Sequence, residues 1–186
     1  DSRVSGDLRL VFYKQFVPSD VSGNIAYRVK INDLCLRDES FRSEVISMCR
    51  ADVLFWINTF VWTYNPNVPP GQPTELPFVT WGYQNDTILA IVNSIGRKDL
   101  LIEKSRDMGG SWMCLTAYCW SWLFEWRKTY LLMSRKEDLV DKPGDSDCLF
   151  WKLDFILKNL PMWMVPKYTR THMHLLNKDR HNAIDG

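Results

Sequence analysis

A chain of 186 residues, 46% hydrophobic and 24% charged, suits one domain, or one domain with an extension, of ordinary soluble globular composition. A formal net charge of +1 excludes a globally basic nucleic-acid binder, so DNA contact would need local basic patches or other domains. Thirteen per cent aromatic content, with nine Trp, is high, and rings at that density belong in a core or an interface.

The chain opens at Asp1 rather than Met and shows no secretory signal, so a processed or excised piece is expected. Residues 1–23 hold Gly6, Pro18 and Gly23 among charges, with one apolar run at 8–13 that predicts a short helix or an arm. From 38 to 64 the pattern is helical: Phe41, Val45, Met48, Ala51 and Phe55 follow a 3–4 spacing, continued by Val53, Ile57, Phe60 and Val61. Asp38 or Ser40 suits its N-cap. Residues 65–77 hold Pro66, Pro69, Pro70, Gly71, Pro73 and Pro77, which favour turns and extended backbone. The expected organisation is a helical lead-in over 1–65, an ordered Pro-rich connection over 66–77, and a partial nucleotide-binding core over 78–186.

In that last segment, Ile88, Ile91, Val92 and Ile95 predict a helix over 87–95, closed by Gly96. Leu100-Leu101-Ile102 reads as a short strand, 103–110 as a polar loop, and 111–128 as a helix apolar nearly all round. The uncharged run at 109–124 falls short of the roughly 20 residues a membrane span needs. Residues 130–133 read as a second strand. A helix from Asp145 or Ser146 to Asn159 follows, with Leu149, Leu153, Ile156 and Leu160 on one face. Strand, loop, helix, strand, helix predicts an α/β fold with a parallel sheet flanked by helices. The five cysteines, Cys35, Cys49, Cys114, Cys119 and Cys148, are odd in number and form no CxxC pair, so buried free thiols are expected. Asn85-Asp86-Thr87 matches a glycosylation sequon by chance.

The chemistry centres on Lys104-Ser105-Arg106-Asp107-Met108-Gly109-Gly110-Ser111, placed between a predicted strand and a buried helix. A phosphate loop needs inward N–H groups, a helix N-terminus facing the anion, a cation on the β/γ phosphates and a hydroxyl on Mg²⁺. Gly109 and Gly110 supply close backbone approach and Ser111 the hydroxyl. Laid on GxxxxGK[ST], Lys104 falls on the first Gly and Gly110 on the Lys, so the standard lysine is absent. A Gly-rich turn without a ligand is the plainer alternative.

The stretch from Glu103 to Trp112 resembles the deviant P-loop of large terminase subunits of tailed bacteriophages. In several branches of that family the lysine moves to the start of the loop and an arginine precedes the glycine. Lys104 and Arg106 stand at those positions. Phe78-Val79-Thr80-Trp81-Gly82-Tyr83-Gln84 resembles the family's adenine-recognition element. Residues 130–138 and 147–161 resemble the strand and helix after its P-loop helix, and 55–62 its helical lead-in. The resemblance implies a P-loop NTPase-like core that binds ATP and Mg²⁺. Lys104 would hold the β/γ phosphates, Arg106 would contact phosphate or act as a sensor, and Ser111 would hold Mg²⁺. Gln84 would read the adenine edge, with Trp81 or Tyr83 stacked on the base. Hydrolysis would drive double-stranded DNA into a procapsid in the host cytoplasm. Portal protein and small terminase subunit would be the partners, in an oligomeric ring with no membrane. The family's Walker B acids and its nuclease domain have no counterpart here, which predicts a chain ending before Walker B and a weak or absent ATPase. A helicase-like ATPase fragment or a non-catalytic interaction module are the alternatives.

Weaker signals have plain readings. His172-Met173-His174 would put two imidazoles on one strand face, and with His181 they are taken as surface histidines rather than a metal site. Lys167, Arg170, Lys178 and Arg180, with Tyr168, make a basic tail that is solvated or touches DNA backbone. Glu137 and Asp138 read as exposed charges, and Arg127 and Lys128 as cations ending the buried helix.

Overall fold

The computed structural model describes residues 13–186. Most of the predicted N-terminal arm and its apolar run lies outside the described residues. The chain is mixed α/β, with six α-helices and two small sheets among the described residues. Two compact units divide it, Asp1–Asn85 and Asp86–Gly186, and the division falls inside a helix rather than in the Pro-rich stretch.

In the first unit, one 3₁₀ turn (Tyr13–Phe16) precedes α1 (Val21–Arg37), α2 (Glu39–Ala51) and α3 (Val53–Phe60). Each α-helix starts on an aspartate in extended backbone. Asp20, Asp38 and Asp52 accept from the N–H of Gly23, Phe41 and Phe55 at 2.7, 3.1 and 3.0 Å. Such caps satisfy donors that a helix start leaves orphaned. The single helix predicted from 38 to 64 is therefore two helices, because Asp52 ends α2 and begins α3. It then gives way to β1 (Trp62–Tyr64), which pairs antiparallel with β2 (Glu75–Pro77). The Pro-rich segment is the loop of that hairpin, an ordered connection.

Helix α1 was not foreseen. Its buried positions are Asn24, Arg28 and Cys35, so its inward face is too polar to announce itself by periodicity. Arg28, only 6% exposed, closes the end of α3. It donates to the carbonyls of Val61 and Asn58, both at 2.8 Å, and of Ile57 at 3.3 Å, and its Nε reaches Asn24 Oδ1 at 2.6 Å. The guanidinium lies 5.3 Å from the Trp62 ring. Burial pulls its pKa down to about 9, which leaves it charged at neutral pH.

Helix α4 (Gly82–Ser94) leads into the second unit, which holds α5 (Gly110–Phe124), a 3₁₀ turn (Glu137–Leu139) and α6 (Leu149–Asn159). Its sheet is built from β3 (Thr129–Leu131), β4 (Tyr168–Thr171), β5 (His174–Asn177) and β6 (Asn182–Asp185), in the order β3-β6-β5-β4. Only β3 and β6 are parallel, and the other two pairings are antiparallel. This corrects the expected parallel sheet. The cause is the segment read as a basic tail: it doubles back twice. Thr171 faces His174 across a two-residue turn in which Met173 has φ 52. Asn177 Oδ1 then accepts from the N–H of Asp179 and Arg180, both at 3.0 Å, and turns the chain into β6. Leu175 and Ile184, paired across β5 and β6, are fully buried.

A second correction concerns residues 100–102, which form no strand. Three apolar residues flanked by Lys98-Asp99 and Glu103-Lys104 cannot cover both faces, and Leu101 is 94% exposed. Helix α5 itself is buried on most sides, as expected, with Met113, Leu115, Trp120, Trp122 and Phe124 in the core. It stops at Phe124 rather than Lys128. Asn177 and Asn182, both fully buried, donate to the Trp122 carbonyl at 2.8 and 2.9 Å, and Asn182 also to Glu125 O at 2.9 Å. These side chains, not Arg127 or Lys128, satisfy carbonyls at the helix end. The cysteines are free thiols, four of them buried.

Candidate functional site

The loop before α5 is shaped by two left-handed residues, Asp107 (φ 61) and Gly109 (φ 74, ψ 22). Gly109 occupies the N-cap and carries no side chain, so it contributes no side-chain cap to the first-turn N–H groups. The positive end of a 15-residue helix therefore faces the loop. The side chain of Lys104 folds back onto this helix start. Its ammonium donates to the Ser105 carbonyl at 3.0 Å, and its stem lies against Gly110. A Cβ on Gly110 would collide with that stem and sit 3.3 Å from Nζ. Any larger residue at 110 would displace the Lys104 side chain from the helix start. The Lys104 charge also reaches Cys114, one turn along, where it opposes the burial that raises the thiol. Ser105, Arg106, Asp107 and Ser111 are exposed, while Met108 is half-buried. The structure thus brings Lys104, Gly109, Gly110 and Ser111 together at one helix end. It does so without the strand that a phosphate loop ordinarily follows.

The other predicted element, 78–84, belongs to the first unit. Trp81 is 65% exposed, with its ring 5.7 Å from that of Tyr83. Gln84 is buried, and its Oε1 accepts the Trp81 N–H at 3.1 Å. This is half of a capping box: the third helical residue reaches back to the cap and fixes the start of α4. Beside it lies a polar cluster. Asn58 Nδ2 donates to Thr80 Oγ1 at 2.8 Å, Thr80 N–H donates to Asn58 Oδ1 at 2.9 Å, and Asn85 Oδ1 accepts from Thr80 and Lys14.

The three histidines do not converge, although His172 and Arg170 both meet Asp141, at 3.5 and 2.8 Å. His172 opens the turn between β4 and β5, with Nε2 3.3 Å from Glu137 Oε1. His174 Nδ1 meets Asp185 Oδ1 at 2.6 Å, and His181 is exposed in a left-handed turn position. No cluster of three or more metal-ligating side chains occurs among the described residues. Arg180 lies 4.5 Å from the Trp126 ring.

Arg170 is the clearest case that its sequence context hid. It pairs bidentately with Asp141 at 2.8 and 3.0 Å, reaches Asp154 at 3.0 Å, and stacks 4.5 Å from the Phe150 ring. Burial alone would raise the Asp141 carboxyl. Arg170 and the Met173 N–H outweigh it and hold the pKa below the ordinary carboxylate value. Asp141 lies 29 residues away in sequence, beyond any local pattern. Glu137 and Asp138 are exposed in a one-turn helix.

No helix among the described residues is long and apolar enough to cross a membrane. No protein-family model matches the chain, and no curated protein is significantly similar to it.

Proposed function

We propose that the start of α5 is a phosphate site, and that the second unit is a variant of a P-loop NTPase-like core that binds ATP with Mg²⁺. The observation that carries this reading is Lys104 folded across Gly110, above a helix N-terminus whose cap residue has no side chain. An anion there meets first-turn N–H groups, the positive end of the helix and a primary ammonium together. Lys104 neutralises the β/γ phosphates, Ser111 presents its hydroxyl to Mg²⁺, and Arg106 is a second cation for phosphate. The backbone of Ser105, Asp107, Met108, Gly109 and Gly110 supplies the cradle. By resemblance to the large terminase subunits, such a core is the ATP-binding part of a motor that moves double-stranded DNA into a procapsid. Its partners there are portal protein and small terminase subunit, and its setting is the host cytoplasm.

The test is binding of a fluorescent ATP analogue with Mg²⁺ to the full chain and to Lys104→Ala. A charge-assisted phosphate contact contributes enough that its loss should weaken binding about tenfold or more. Magnesium-independent or unchanged binding would reject the phosphate role. The irregular backbone at 100–105 favours the other reading, an interaction module without nucleotide, and that reading gains if no analogue binds.

A further inference from the structure

The phosphate reading leaves open where the rest of the ligand lies. A cavity of about 460 Å³ in the second unit is lined by Ile91, Ile95, Cys114, Tyr118 and Tyr130, with Asp99 among its polar groups. That volume is in the range of small-molecule sites. Gly110, Cys114 and Tyr118 are spaced by four residues, so they share one face of α5. Lys104 lies over the first of them, and its charge reaches the second. The cation therefore stands at the end of a stripe that leads into the cavity, and eight residues of helix span about 12 Å. Tyr118 is half-buried and stacks on Tyr130, with centroids 5.0 Å apart and planes 24° apart.

We propose that this cavity is the base-binding half of the site: the nucleotide's ring stacks on Tyr118 and its phosphates reach back to Lys104. The inference rests on the phosphate reading above, and departs from the resemblance, which sends the base to Trp81 and Gln84. Two observations favour the cavity. The Gln84 Oε1 is engaged in capping α4, and the cavity is lined by Cys114 and Tyr118, on the face of α5 whose first residue, Gly110, lies under Lys104. Apolar Ile91 and Ile95 cover a flat ring, and the Asp99 carboxylate accepts from an exocyclic amine, so a base carrying one is the expected class.

Cys114 is a built-in reporter, because it is the one cysteine that is not buried. The full chain is alkylated with iodoacetamide and followed by intact mass, alone, with MgATP, and with magnesium tripolyphosphate. With MgATP at ten times its dissociation constant, Cys114 labelling should slow about tenfold. Saturating tripolyphosphate should leave it nearly unchanged. Equal protection by both would overturn the base assignment while keeping the phosphate site. So would MgATP binding, seen by analogue fluorescence, without protection of Cys114. Absence of any nucleotide or tripolyphosphate binding would overturn both readings. As a second arm, Tyr118→Leu should weaken ATP about fivefold or more while sparing tripolyphosphate, given what a base–aromatic stack contributes.

Discussion

Helices α3 and α5 are finished differently. In the first unit, both ends of α3 are closed by buried charged side chains, Asp52 on its N–H groups and Arg28 on its carbonyls. In the second, the C-terminal carbonyls of α5 are closed by Asn177 and Asn182, but its N-terminus begins on a glycine beneath a folded lysine. A helix end closed by buried partners contributes to stability. One whose cap has no side chain leaves first-turn donors for something else to satisfy. Of these four ends, only the start of α5 is built that way, and it carries the functional proposal.

The comparison breaks most easily at Arg28. Arg28→Met removes four hydrogen bonds to buried acceptors, three of them carbonyls at the end of α3. A loss of about 2–4 kcal/mol is expected from urea unfolding, because several charge-assisted bonds are lost while each carbonyl keeps one other donor. A loss below about 1 kcal/mol would mean that water replaces the guanidinium, and that the end of α3 is not closed. Asn182→Ala is the counterpart in the second unit. It deletes donors to the Trp122 and Glu125 carbonyls and the acceptor for the Lys128 N–H at 2.7 Å. The expected cost is about 2–3 kcal/mol. Binding of the ATP analogue should be unchanged in whatever fraction remains folded.

These closures explain what could be read from sequence. Asp38 was legible as a cap because a capping aspartate acts on a residue three positions away. The helices at 110–124 and 149–159 were legible from apolar spacing. Arg28, Asn177, Asn182 and the Asp141–Arg170 pair were not, because each acts across 29 or more residues, where a single sequence carries no pattern. The strand predicted at 100–102 failed for the opposite reason: a three-residue apolar run means little without a neighbour to pair with. Lys104 was singled out by resemblance. Its contact with Gly110 is the part that only the coordinates supply.

Asp52 gives the start of α3 a pH signature. Burial pushes its carboxyl up to about 6, although the N–H groups of Phe55, Lys14 and Tyr13 favour the ionised form. Its ordinary value is 3.8. A carboxyl raised on folding contributes stability that is fully present below its unfolded value and is lost as pH rises through its folded value. Wild-type stability should therefore exceed that of Asp52→Asn by a margin that grows between pH 7 and pH 5, by on the order of 1 kcal/mol. A margin that shrinks over that interval would show that the backbone donors outweigh burial.

The smallest expected change in stability separates the two roles most sharply. Gly110→Ala places a methyl where the Lys104 stem lies. Alanine in a first helical turn is favoured over glycine by roughly 0.5–1 kcal/mol, and displacing an exposed lysine offsets part of that gain. Net stability should stay within about 0.5 kcal/mol of wild type or rise slightly. Nucleotide binding should weaken, because the ammonium can no longer lie over the first turn of α5. Stability and binding then move independently at one atom's position. If the variant loses stability and keeps its affinity, the Lys104–Gly110 contact is packing. The start of α5 would then be one more closed helix end.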